Sequence, residues 1–241
     1  MKRGLSAILR GPMEGLLIAI DGPAGSGKSS VARAVADRLG LVNLNTGAAY
    51  RAVALVALRE GVGLGDGTAL AALSRRVSLD ARGARIDGVP VPEDVLRTPE
   101  VSAAASTVSA KPEVRAVLVD VQREAACRAS LEGGAVIEGR DIGTVVLPDA
   151  KLKVYLSAEP EERARRRAHQ TGREEELDRI REAMTKRDRQ DSERETSPLK
   201  PAPDAVILDT TSLDLDGVVA RVLELARGLR ESGLREKEKG A

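Results

Sequence analysis

LLIAIDGPAGSGKSS, Leu16 to Ser30, is the stretch whose reading decides the fold. Five apolar residues ending in Asp21 have the length and composition of a strand buried on both faces. The turn that follows, Gly22-Pro23-Ala24-Gly25-Ser26-Gly27-Lys28-Ser29, fits GxxxxGK(S/T), and Ser30 continues it into an apolar-periodic segment. Glycines let backbone N–H groups converge on phosphate oxygens, Lys28 reaches toward the transferring phosphoryl group, and the Ser29 hydroxyl is placed to ligate Mg²⁺. A helix predicted over Lys28–Leu39 points its positive end at the anion. Strand before and helix after make the motif specific, and it predicts binding of a nucleoside triphosphate. Asp21 is a candidate to hold a metal-bound water; orienting the loop is an equally good role for it.

Outward from this unit, strands and helices alternate. LVNL, AVIEG, KLKVYLS and DAVILD are apolar runs of strand length. Helical patterns lie between them: from Thr46-Gly47 to about Glu60, Glu113 to Ala129, an arginine-rich stretch from Pro160, and Leu215 to Arg230. The alternation predicts an α/β, three-layer P-loop fold, a central parallel sheet flanked by helices. From about Gly61 to Thr98 the rhythm breaks. VSLD, ARI and VPV, joined by ARG and DG turn signals, predict a small antiparallel β insertion. One domain is expected over residues 16–232, with an insertion at about 61–110 and a helical lid at about 158–195. Residues 1–15 and 233–241 are charged or irregular and are expected to be frayed.

Composition excludes several classes. The 241 residues carry a net charge of +1, with no Phe or Trp and only two aromatics, Tyr50 and Tyr155. Neither a global basic footprint nor stacking platforms support nucleic-acid binding. Cys127 and His169 are the only residues of their kinds, which rules out a disulfide within the chain and argues against a Cys/His zinc site. Cys127 reads as a small core hydrophobe and His169 as a solvated side chain. No apolar run approaches a membrane span, and a cytoplasmic location is expected.

Charge inside apolar runs marks the second half of the site. AVIEGRDIGTVVL, Ala135 to Leu147, places Glu138, Arg140 and Asp141 where a structural strand would carry Val or Ile, and such groups need a partner or a ligand. Arg51 sits one turn into the helix opened by Thr46-Gly47, an anion-friendly place. Arg163, Arg166 and Arg167 share a helical face, and Arg187, Asp188, Arg189, Asp191 and Arg194 follow. Phosphoryl transfer is mostly positioning and electrostatics, so several guanidiniums around the moving group, some on a lid that excludes water, suit it. GTPase base-reading motifs are missing. AVILD imitates a metal-binding strand, but Asp209 lies far down the chain and reads as a strand-end residue near the nucleotide base or a cap for the next helix.

Five blocks carry a resemblance: GPAGSGKSS, NTGAAYR, RTPEVSAAASTVSAKPEVR, EGRDIGTVVLPDA and KRDRQDSERETSPL. They resemble, in order, the sequence blocks of the bacterial cytidylate kinases, P-loop kinases of nucleoside monophosphates. The resemblance spans about Leu16 to Arg227 and implies phosphorylation of CMP and dCMP by ATP and Mg²⁺. It implies that Thr46, Arg115 and Asp141 face the cytosine, that Ser106, Arg187 and Asp191 hold the ribose hydroxyls, and that Arg51, Arg140 and Arg194 grip the acceptor phosphate. Tyr50 joins this acceptor set; Lys28, Arg140 and Arg194 serve the transfer itself, and Arg163 and Arg167 belong to the lid. Thr46 and Glu138 stand where the family pattern has Ser and Asp; Glu138 is left between a contact to metal-bound water and a contact to an arginine. The chemistry agrees: a carboxylate at Asp141 accepts from the cytosine amino group and repels the uracil carbonyl at the same position. A monomer is expected. Kinases of UMP, dTMP, AMP or shikimate, and a nucleotide-switched regulatory or nucleic-acid-binding P-loop protein, are the alternatives.

Overall fold

The computed structural model describes residues 15–239. Five parallel strands form the central sheet: β1 (Leu16–Asp21), β2 (Val42–Asn45), β6 (Gly134–Glu138), β7 (Leu152–Ser157) and β8 (Val206–Asp209). Their spatial order is β2-β6-β1-β7-β8. The chain leaves β1 in one direction to reach β2 and returns through β6 to build β7 and β8 on the other side. The carboxyl ends of β6, β1 and β7 therefore flank the switch point where open α/β sheets bind ligands. In register, Ile20 pairs with Glu138 on one side and with Val154 on the other.

Both faces of the sheet are covered, as the unbroken apolar runs require. Leu17, Ala19, Ala135 and Ile137 pack on one side with α2 (Gly47–Glu60), α5 (Pro99–Ser109) and α6 (Pro112–Leu131). Ile18, Ile20, Val136 and Val154 pack on the other with α1 (Lys28–Leu39) and α9 (Leu215–Lys239). Cys127 is half-buried on α6 rather than in the core, and His169 is 90% exposed beside Glu174.

The insertion contains the expected three-stranded antiparallel sheet: β3 (Val77–Asp80), β4 (Gly83–Ile86) and β5 (Val89–Pro90). Asp87 and Gly88, at φ 51 and 81, form the tight β4–β5 turn whose DG signature the sequence carries. Helices were underestimated here. The insertion also holds α3 (Gly67–Ser74), capped by the Asp66 side chain on the Ala69 N–H, and the short α4 (Glu93–Leu96); α5 follows, capped by Thr98.

One further difference concerns a boundary. The last helix runs to Lys239, past the expected end at Arg230: the Glu, Lys and Arg around Gly233 are strong helix formers that outweigh one glycine. The expected fraying of the N-terminal extension lies outside the described residues. The lid is built from α7 (Pro160–Thr171) and α8 (Leu177–Ser192), with its own small core of Ala164, Ala168 and Ile180 against Leu177 and Met184.

Candidate active site

On the donor side, Gly22 and Gly25 adopt φ of 147 and 73. A Cβ at Gly22 would stand 2.2 Å from the Leu156 carbonyl oxygen, and one at Gly25 would meet Met184 Cε at 2.6 Å. The first glycine lets the loop cross β7, and the second lets the lid lie on the loop. Ser26 is buried within the turn, whereas Ser30 is exposed on α1. Lys28 is buried, with Nζ donating to the Pro23 carbonyl at 2.6 Å. Burial first, and then the nearby Arg140 charge, push its pKa well below the usual lysine range.

Asp21 and Glu138 end neighbouring strands yet do different things. Both Asp21 carboxylate oxygens accept backbone N–H bonds, from Ile142 at 2.9 Å and Gly143 at 2.8 Å. These N–H groups open a wide π-helical turn, Ile142–Val146, in which the Asp141 carbonyl accepts from both Val145 and Val146. These bonds tie Asp21 to the turn after β6 rather than to the phosphate-binding loop. Burial raises its pKa to about 6 despite those two bonds. Glu138 instead accepts the Ser29 hydroxyl at Oε2, 2.7 Å, and its Oε1 is buried without a hydrogen-bond partner. A serine hydroxyl beside a carboxylate with one unused oxygen is a donor set that fits a hard, hydrated cation.

Across the switch point, Arg115 from α6 and Asp141 from the turn after β6 form an ion pair, both side chains nearly inaccessible. The Arg115 guanidinium lies 5.4 Å above the centre of the Tyr50 ring. Burial opposes its charge, but Tyr50 and Asp141 outweigh that and raise its pKa. Thr46 precedes α2 without capping it; the hydroxyl donates to the Glu138 carbonyl at 2.7 Å and pins the end of β2 to β6.

Asp191, at the end of α8, accepts from Arg140 Nε at 3.1 Å, with Arg187 at 3.9 Å and Arg194 at 3.5 Å around the same carboxylate. Arg194 and Arg115 both donate to the Ser109 carbonyl, at 3.3 and 3.2 Å. Ser106 lies one turn earlier on α5, half-buried, and its carbonyl accepts from Ser109. Arg51 is held down to a pKa of about 10 by burial and then by Arg97, Arg187 and Arg140. Burial and Arg140 likewise lower Arg187. Positive charge thus exceeds its local compensation, the electrostatic mark of an anion site.

The lid reaches the donor loop through residues the motifs did not single out for that purpose. Asp188 accepts the Ala24 N–H at 3.1 Å and pairs with Arg163, whose Nη1 donates to the Ala24 carbonyl at 3.0 Å. Arg166 serves a structural end, donating to Thr210 Oγ1 at 2.9 Å. Arg167 donates to Gln170 and has its pKa lowered by burial and then by Arg97. Arg97 was overlooked, although it opens the RTPEV block; its charge bears on both Arg51 and Arg167, and its bonds go to Glu93. Asp209 accepts from Thr211 in a turn after β8, while Asp214 accepts the Gly217 N–H at the start of α9. The capping role suggested for Asp209 falls to Asp214.

A glycine-rich loop between β1 and α1, a lid resting on it and an arginine cluster across the switch point define a P-loop kinase. A family model described as cytidylate kinase matches residues 18–228, and the chain belongs to that family. The cytidylate kinase of Desulfitobacterium hafniense is 46% identical over 226 residues, covering 90% of this chain and 95% of that protein. That of an Exiguobacterium species is 47% identical over 218 residues, covering 87% and 96%. A bifunctional pantoate ligase/cytidylate kinase from a Synechococcus species is 46% identical over 240 residues, 94% of this chain but 44% of the larger protein. Among solved structures, a gluconokinase from Sinorhizobium meliloti aligns with a TM-score of 0.50 at 17% identity, covering 92% of this chain and 98% of its own, a likeness of fold alone. No helix among the described residues is long and apolar enough to cross a membrane.

Proposed function

We propose that the protein transfers the γ-phosphoryl group of MgATP to CMP and dCMP, giving the diphosphates and ADP. The observation that carries this reading is the buried Arg115–Asp141 pair, set beside an arginine cluster whose Arg140 charge acts on Lys28 of the phosphate-binding loop. Cytosine offers an amino donor with acceptors at N3 and O2. Asp141 accepts from the amino group, and Arg115 donates to the acceptors; the Thr46 hydroxyl, already donating to the Glu138 carbonyl, has only lone pairs left for the base edge. Arg187, Asp191 and Ser106 take the ribose side; Arg51, Arg140 and Arg194 grip the phosphate.

Transfer needs no side-chain base, because the acceptor phosphate is already an anion. Loop amides of residues 22–29 and Lys28 hold the donor. Its phosphates would counter both the burial and the Arg140 repulsion that depress Lys28. Ser29 and Glu138 would hold Mg²⁺, which when bound would supply charge neutralisation on the donor phosphates. The lid, docked on Ala24 through Arg163 and Asp188, excludes water from the donor.

A coupled assay of ADP release with CMP, dCMP, UMP and AMP tests this. CMP and dCMP are expected to exceed UMP and AMP in kcat/KM by at least roughly 10²-fold, since a buried polar site rejects mismatched edges strongly. Comparable rates with UMP would remove the base assignment. An ATPase stimulated by RNA or DNA rather than by CMP would remove the kinase reading.

A further inference from the structure

Among the described residues, nine buried side-chain polar atoms have no hydrogen-bond partner, and seven of them belong to Tyr50, Arg115, Gln122, Glu138, Arg187 and Arg194. Buried polar groups are nearly always satisfied within a fold, so such a concentration marks groups held for a ligand. Five of these residues already have a place in the site. Gln122 has none. It is 2% exposed, and neither Oε1 nor Nε2 makes a hydrogen bond. It follows Arg115 on α6 by seven residues, two turns along one face. Its amide faces the Tyr50 hydroxyl without bonding geometry, and the Tyr50 ring lies under Arg115, which is paired with Asp141.

We propose that Gln122 is a positioning residue for the acceptor base. Its amide orients the Tyr50 phenol, whose ring sets the plane of Arg115, and Arg115 with Asp141 reads the pyrimidine edge. The proposal rests on the CMP reading above. A purely structural glutamine would be bonded in the free protein; both polar atoms of this one are buried without a bonding partner, and the Tyr50 hydroxyl is the group they act on. Removing the amide while keeping its shape should therefore cost the fold nothing and cost recognition a measurable amount.

Gln122→Met keeps the length and volume. Its Tm is expected to be unchanged or higher, with kcat and the KM for ATP within about twofold. The KM for CMP should rise roughly five- to tenfold, and the CMP:UMP ratio of kcat/KM should fall about tenfold. A lower Tm with an unmoved KM for CMP and an unmoved ratio would make Gln122 structural and overturn the proposal. Tyr50→Phe removes the partner hydroxyl while leaving the ring under Arg115. It should shift KM and ratio in the same direction, and adding Gln122→Met should cost little more; an unshifted Tyr50→Phe enzyme, or fully additive losses, would also overturn it. A wild-type enzyme that prefers another acceptor would overturn the CMP reading instead, and that acceptor's KM would then replace CMP's in the comparison.

Discussion

At Asp141 the cost of buried charge and the proposed source of specificity fall on the same group. Its carboxylate balances Arg115 in the folded protein and is the expected acceptor for the cytosine amino group. Asp141→Asn keeps the shape and one acceptor but offers an amide donor to the base. The kcat/KM for CMP is expected to fall about 10²–10³-fold while that for UMP falls less, read from the two acceptors in parallel. Asp21 gives a prediction in pH. Its native pKa of about 6 lies above the 3.8 of a free aspartate. Between those values the folded protein holds a proton that the unfolded chain has released, so this group's contribution to stability is present at low pH and is lost as pH rises through 6. Between pH 7 and pH 5 the wild type should gain about 1 kcal/mol from it, and Asp21→Asn should not. Denaturant melts at the two pH values check this. The substitution should also lower stability throughout, because an amide cannot accept from both Ile142 and Gly143.

At the scale of elements, the lid and the loop meet through backbone. A methyl at Gly25 would press on Met184 and on the Arg163 carbonyl, whereas one at Gly27, also at positive φ, meets nothing within 4 Å. Gly25→Ala is therefore expected to raise the KM for ATP roughly tenfold and to speed amide exchange in α7 and α8. Gly27→Ala carries similar backbone strain but should leave lid exchange unchanged, which separates strain from contact. The β–loop–helix unit and the β insertion were legible in the sequence because their signals are local: GxxxxGK between an apolar run and a helix, and DG between short strands. The π-helical turn was not. IGTVV reads as more strand, and it turns only because Asp21, more than a hundred residues away, takes its first two N–H groups. Arg97 was missed for the same reason, since its neighbours Arg51 and Arg167 come from distant parts of the chain.

In the whole molecule the two faces of one sheet are packed deeply, but the lid is held by a separate and much smaller cluster. Most ion pairs on the lid's outer face, such as Arg173–Glu176 and Arg189–Glu193, are exposed and add little. Amides of α7 and α8 should exchange well before those of β1 and β6 in hydrogen-exchange mass spectrometry, and ATP with CMP should slow them most. Exchange of the lid at the rate of the central sheet would contradict a separately opening element. The layer order was readable from alternation alone. Which charged residues converge was not, because Arg51, Arg140, Arg187 and Arg194 meet only when β2, β6 and the lid are brought to one end of the sheet.

The scarcity of aromatic rings has an optical consequence. With no tryptophan, the chain's ultraviolet emission comes from two phenols. Tyr50 lies beneath Arg115, and Tyr155 stands beside Asp21 on β7, within the fields of Asp188 and Arg140. No ring elsewhere contributes background. The unlabelled protein thus carries its own pair of reporters, both among the residues of the proposed site, and a nucleotide titration followed at tyrosine wavelengths reads those two rings alone.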